Sequence, residues 1–232
     1  MIKKTIGILG GMGPLATADL FQKITLHTDA ASDQEHPRVV IDSNTDIADR
    51  TAALLHGGAN PVPEMVKSAK RLESIGADFL IMPCNTAHNF FSDVESSVNI
   101  PMLHMIALTR DALRERGVTR AGLLATDGTV QTGIYRRTFA GSGVELLEPV
   151  GSDQRAVMDV IYNGVKAGDL AHDVGAFRAA CESLLAAGAQ ALVLGCTELP
   201  LAFSLYHLDY PAVDPTLELA LGAIRFAGCK TK

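Results

Sequence analysis

Apolar residues are arranged along the chain in two alternating rhythms. Short unbroken runs at Thr5–Leu9, Arg38–Asp42, Phe79–Met82, Met102–His104, Ala121–Ala125, Glu145–Glu148, Ala191–Leu194 and near Ala212 have the length of strands buried on both faces. Between them, apolar positions recur at the helical period over Leu15–Thr28, Val62–Ile75, Ile106–Arg116, Val130–Phe139, Gln154–Lys166, Gly175–Ala187 and Thr216–Phe226. Buried strands alternating with amphipathic helices predict an α/β protein with parallel sheets covered on both sides.

The pattern also repeats. "SIGADFLIMPCNTA" at Ser74–Ala87 aligns with "AAGAQALVLGCTEL" at Ala186–Leu199, pairing Gly76 with Gly188, Leu80 with Leu192 and Cys84 with Cys196 at one offset of 112. "TIGILGGMG" from Thr5 resembles "RAGLLATDG" from Arg120 at a similar offset. Two alike halves predict two pseudo-symmetric lobes, each with a mainly four-stranded parallel sheet flanked by helices, and a site in the cleft between them. The expected boundaries give residues 1–105 with a returning helix in 213–232 as one lobe, and 106–212 as the other.

Composition narrows the function classes. The 232 residues are 47% hydrophobic and 20% charged, with a net charge of −6 and no Lys/Arg cluster, which argues against disorder and against a nucleic-acid surface. No apolar run reaches membrane-span length, and Gly7, Gly10, Gly11, Gly13 and Pro14 break the first apolar run too often for a signal helix, so a cytoplasmic protein is expected. The four cysteines, Cys84, Cys181, Cys196 and Cys229, include no Cys-x-x-Cys pair and show no His/Cys ligand spacing, so a structural zinc site is not expected.

Two of those cysteines sit where chemistry is expected. In open α/β sheets ligands gather at the carboxyl ends of strands, where Cys84 and Cys196 both fall. Asn85, Thr86 and Thr197 follow them and suit the caps of following helices, and a helix start lowers a thiol's pKa and offers N–H groups to a carboxylate. Two opposed thiols could invert a tetrahedral carbon, one removing a proton and the other returning one to the opposite face. Cys181, on a helix face, and Cys229 read as packing residues. A rival is Gly11-Met12-Gly13-Pro14-Leu15-Ala16, a dinucleotide-type G-x-G-x-x-A followed by Asp42 at the end of a strand, although Asp42 lies further on than that pattern prefers. Taken alone, Arg50 and Lys166 read as ordinary surface charges.

The motifs "GGMGPLAT" at Gly10–Thr17, "DRTAALL" at Asp49–Leu55, "PCNTAH" at Pro83–His88, "LLAT" at Leu123–Thr126 and "GCTELP" at Gly195–Pro200 resemble, over nearly the whole chain, the aspartate/glutamate racemase family, closest to its aspartate racemases. That resemblance implies a two-lobed homodimer acting on a small amino acid without pyridoxal phosphate, metal or other cofactor. It implies that Cys84 and Cys196 are the bases, for the D- and L-enantiomers respectively. It further implies that Asn85, Thr86 and Thr197 hold the α-carboxylate and its neighbours, that Arg50 and Lys166 grip the side-chain carboxylate, and that Met12, Thr126 and Glu198 line the site. Gly11-Met12-Gly13 and Glu198 stand where glutamate racemases carry Asp-Ser-Gly and a histidine, which favours aspartate. Glutamate or broader acidic amino acids, altered chemistry on small dicarboxylates, and a binding protein without turnover are the other readings. Asp127 and Ala48 depart from the family pattern, and Asp127 would bring an additional carboxylate toward an anionic substrate unless it points away.

Overall fold

The computed structural model describes residues 3–232. In chain order its regular elements begin with β1 (Ile6–Gly10), α1 (Pro14–His27), β2 (Val39–Ser43), α2 (Arg50–Leu55), α3 (Val62–Ser74), β3 (Phe79–Ile81), α4 (Phe91–Glu95) and α5 (Met105–Glu115). They continue with β4 (Arg120–Leu124), α6 (Asp127–Thr132), α7 (Ile134–Phe139), β5 (Glu145–Leu147), α8 (Ser152–Asp159), α9 (Gly175–Ala186), β6 (Ala191–Leu194), α10 (Glu198–Leu205), β7 (Ala212–Val213) and α11 (Pro215–Phe226). The chain divides into two compact units, Met1–Leu108 with Thr216–Lys232, and Thr109–Pro215. Among the described residues no helix is long and apolar enough to cross a membrane.

The first unit carries a parallel sheet in the order β2-β1-β3, with Ile6 opposite Val39 on one side and Phe79 on the other. Alternation along its strands assigns each face a core. Ile6, Ile8, Phe79 and Ile81 pack with Leu20 and Ile24 of α1 and with Leu219 and Ile224 of α11. Leu9, Leu80 and Met82 pack instead with Met65, Ala69 and Leu72 of α3. This two-sided burial explains why these strands read as unbroken apolar runs. The fourth expected strand, Met102–His104, shrinks to a single parallel bridge from Met102 to Leu80, with the Leu80 N–H on the Pro101 carbonyl at 2.9 Å.

The second unit repeats that order in full as β5-β4-β6-β7. Here Leu192 pairs with Ala212, and its N–H reaches the Pro211 carbonyl at 2.8 Å, the counterpart of the Leu80–Pro101 bond. The internal repeat seen in the sequence is therefore a repeat of topology. Leu124, Leu192 and Leu194 pack with Val157, Phe177, Cys181, Leu184 and Leu199.

Two expected helices depart from a uniform α-helix. Val130–Phe139 divides at Gly133, whose φ of 65° is left-handed and closes α6 before α7 begins. Gln154–Lys166 is helical throughout but changes type, with α8 passing into a π-helix at Val160–Lys166. Gly164 sits inside that π-segment, where a Cβ would stand 2.8 Å from the Tyr206 hydroxyl. Tyr206 in turn donates to the Asp169 carbonyl at 2.7 Å, fixing the turn that follows Lys166.

Candidate active site

In the first unit the site residues come from the carboxyl end of the sheet. Asp49 caps α2 by accepting the Ala52 N–H at 2.7 Å, which places Arg50 at the first helical position. The Arg50 side chain then turns inward and is 9% exposed. Its guanidinium donates to the carbonyls of Ala48 (3.0 Å), Ile47 (3.3 Å) and Met12 (3.3 Å). These carbonyl bonds tie the first loop to the second through the Arg50 guanidinium. Ala48, a departure from the family pattern, receives Arg50 through its backbone carbonyl.

The glycines of the first loop serve close packing. Gly11 has φ 90°, and a Cβ there would lie 2.3 Å from the Asn44 carbonyl oxygen. Its N–H donates to the Thr17 hydroxyl at 2.9 Å, and that hydroxyl donates to the Gly13 carbonyl at 2.9 Å. In a dinucleotide site such an N–H would face a phosphate. Asp42, the residue a ribose would need, is instead ion-paired with Arg71 at 2.8 Å. Both halves of the nucleotide pattern thus have structural employment.

Cys84 lies beyond the end of β3, 6% exposed, in the same apolar cluster as Met12 and Ile47. Asn85 and Thr86 follow it into a single 3₁₀ segment at Thr86–Phe90, and both are buried. The expectation that Asn85 caps this segment through its side chain is not met. Its backbone is already helical, with φ −60° and ψ −48°, and no side-chain cap bond forms. A capping side chain needs an extended backbone to fold back onto the helix N–H groups.

In the second unit Cys196, Thr197, Glu198 and Lys166 form one connected group. The Cys196 thiol donates to Glu198 Oε2 at 2.9 Å, the Thr197 hydroxyl donates to the same oxygen at 3.3 Å, and Lys166 Nζ lies 3.3 Å from Oε1. Cys196 is 7% and Glu198 5% exposed. Glu198 opens α10, where the helix N-terminus favours a carboxylate. Lys166 reaches it from the last residue of the π-segment, also standing over the Tyr162 ring. Thr197, like Asn85, makes no side-chain cap bond, because its hydroxyl is directed to Glu198.

This arrangement reverses the expected effect of the helix start on the Cys196 thiol. Burial pushes its pKa well above the usual range, the Glu198 carboxylate pushes it further, and Lys166 opposes this only in part. Cys196 therefore rests as a thiol with a proton acceptor already in hydrogen-bond contact.

Thr126 is buried and caps α6, its hydroxyl accepting the Thr129 N–H. Asp127 accepts the Gln154 amide at 2.8 Å while its own N–H points to Met158 Sδ at 3.3 Å, so its carboxylate is engaged within its own unit. Cys181 is fully buried on α9, its thiol pushed up to about 12 by burial, consistent with a packing residue. His88, within the PCNTAH motif, has no role legible in the sequence, and neither does the Cys196–Glu198 contact.

The profile of the Asp/Glu/Hydantoin racemase family matches residues 9–221. The chain is 27% identical over 225 residues to the broad specificity amino-acid racemase RacX of Bacillus subtilis (strain 168), covering 94% of this chain and 96% of that protein. It superposes on the Picrophilus torridus aspartate racemase with a TM-score of 0.84 and 35% identity, covering 99% of this chain and 96% of that one. The glutamate racemase of Francisella tularensis, solved with D-glutamate, shares the fold at a TM-score of 0.66 and 15% identity, over 98% of this chain and 83% of that one. The chain belongs to the Asp/Glu/hydantoin racemase family, and its class is that of the amino-acid racemases, isomerases by reaction type.

Proposed function

We propose that the protein interconverts L- and D-aspartate without a cofactor, using Cys84 and Cys196 as bases on opposite faces of the α-carbon. The observation that carries this reading is the hydrogen bond from the Cys196 thiol to Glu198, 2.9 Å long. It gives a buried thiol a place to send its proton. On that reading Glu198 accepts the thiol proton, the Cys196 thiolate removes the α-proton of the L-enantiomer, and the Cys84 thiol protonates the opposite face. The reverse sequence runs from the D-enantiomer. No bond to the enzyme forms, and the charge lost at one sulfur appears at the other.

The α-proton is weakly acidic, so the developing carbanion needs hydrogen-bond donors held ready in a site closed to water. Asn85, Thr86 and Thr197 are assigned that work on the α-carboxylate. Arg50 and Lys166 are assigned the side-chain carboxylate, Arg50 held in place by its carbonyl bonds and Lys166 shared with Glu198. Met12 and Thr126 line the walls. The likeness to the aspartate racemase supports aspartate, and the likeness to a broad-specificity enzyme favours a second reading in which several amino acids are accepted. The family resemblance supports a homodimer.

Chiral chromatography of the purified protein with L-aspartate, L-glutamate and a panel of neutral L-amino acids tests this assignment. The highest kcat/KM is expected for aspartate. Comparable values across the panel would replace it with broad specificity, and no D-product from any of them would remove the racemase reading.

A further inference from the structure

The two cysteine turns solve one backbone problem differently. At the entry to α10 the Cys196 carbonyl accepts the Leu199 N–H at 2.9 Å, an ordinary turn bond. The Cys84 carbonyl is instead bound by a side chain, His88 Nδ1, at 2.8 Å. The position matching His88 at the offset of the two cysteines is Pro200, which has no such group.

The other ring nitrogen of His88 is equally committed. Nε2 accepts the Met105 N–H at 3.1 Å, at the first residue of α5. An N–H can be received only by a bare nitrogen, so the proton is on Nδ1, and Nδ1 is the donor to Cys84. The ring is 3% exposed. Phe91 stacks on it with centroids 5.6 Å apart, and His104 meets it edge-on at 4.7 Å. Burial, with His104 adding to it, holds His88 neutral, with its pKa down at about 3.

We propose that His88 is a positioning residue for Cys84, a fixed neutral tautomer that ties the Cys84 carbonyl to the first N–H of α5 and so sets the direction of the thiol. The kinetic part of this inference rests on the two-base reading, whereas the tautomer and the tie to Cys84 do not. His88 would touch neither substrate nor reacting atoms. A turn shifted by a fraction of an ångström would cost rate more than binding, because transfer between sulfur and carbon depends steeply on alignment.

Three readouts test it on the full-length protein. Nitrogen-15 NMR of the histidine side chains should show His88 with a protonated Nδ1 and a bare Nε2, unchanged between about pH 5 and about pH 8. The opposite tautomer, or titration in that window, would overturn the proposal. Next, His88→Asn keeps an N–H donor near the Nδ1 position, whereas His88→Gln moves the amide toward Nε2. With both variants shown to be folded by thermal melting, kcat for aspartate should drop roughly tenfold to a hundredfold in H88Q and much less in H88N, with KM nearly unchanged. The substrate deuterium isotope effect should rise only in the direction that begins at Cys84, as in a Cys84→Ser variant and unlike Cys196→Ser. A folded H88Q with wild-type kcat, or an isotope effect that rises equally in both directions, would contradict a positioning role. Finally, iodoacetamide labelling followed by mass spectrometry reads the tie even if aspartate is not turned over. The Cys84 labelling rate should change in H88Q while that of Cys196 stays constant, and an unchanged Cys84 rate would refute the inference.

Discussion

Replacing Glu198 with glutamine preserves the size of the side chain and removes its charge. In the wild type that carboxylate receives the Cys196 thiol at 2.9 Å and is held by Lys166 at 3.3 Å. A thiolate formed while Glu198 stays ionised would set two negative charges about 4 Å apart or closer, roughly 4 kcal/mol uphill at an effective dielectric of about 20. On the proposed mechanism the proton passes to Glu198, which avoids that pair of charges. Since it stays within the pair, the wild-type rate in the direction that starts at Cys196 should be nearly flat through neutral pH. In E198Q the neighbouring negative charge is gone, so the thiol loses its proton to solvent more readily than before, but no acceptor is positioned to take it. The loss of a positioned proton acceptor should cost on the order of 10²-fold in rate near neutral pH. That deficit should then shrink about tenfold per pH unit as solvent hydroxide deprotonates the thiol. Initial rates from L-aspartate across the pH range, read by chiral chromatography, measure both features. A Glu198→Gln enzyme with a near-wild-type rate and a flat profile at neutral pH would show that Glu198 does not take the proton.

Other residues give independent checks. Arg50→Ala removes a buried guanidinium that bonds three carbonyls. It should raise KM for aspartate and also cost about 1–3 kcal/mol of stability in urea unfolding, so the two effects are expected together. Gly11→Ala demands a Cβ 2.3 Å from the Asn44 carbonyl at a left-handed φ, and should lower stability by about 1–3 kcal/mol, seen as a drop in Tm. Cys181→Ala should leave kcat and KM unchanged and cost about 1 kcal/mol in urea unfolding, because the thiol only fills core space.

What the sequence disclosed and what it hid follow from the range of the interactions involved. Strand positions were legible because burial on both faces forces unbroken apolar runs such as Phe79–Ile81 and Ala191–Leu194. The repeat was legible because Cys84 and Cys196 end equivalent strands of sheets with one topology. The π-segment that delivers Lys166 was hidden, since Val160–Lys166 keeps an apolar face that a helical period matches equally well. The break at Gly133 was hidden for a related reason: a single glycine inside a periodic stretch reads as tolerated until its left-handed φ is seen. The pKa of Cys196 was misread because a helix start is visible in sequence, whereas burial and the orientation of the Glu198 carboxylate are not. His88 gave no periodic or spacing signal. Its two partners, Cys84 and Met105, are backbone groups, and backbone partners leave no residue pattern.

The central test is α-proton exchange by wild-type protein, Cys84→Ala and Cys196→Ala with L-aspartate in D2O and no added cofactor. Proton NMR would follow the α-proton, and chiral separation would assign deuterium to each enantiomer. Two-base inversion predicts that wild-type D-aspartate carries deuterium from its first appearance while remaining L-aspartate is still largely protonated, and that neither single variant racemises. Racemisation at the wild-type rate by either alanine variant, or D-product that retains the original proton, would contradict it.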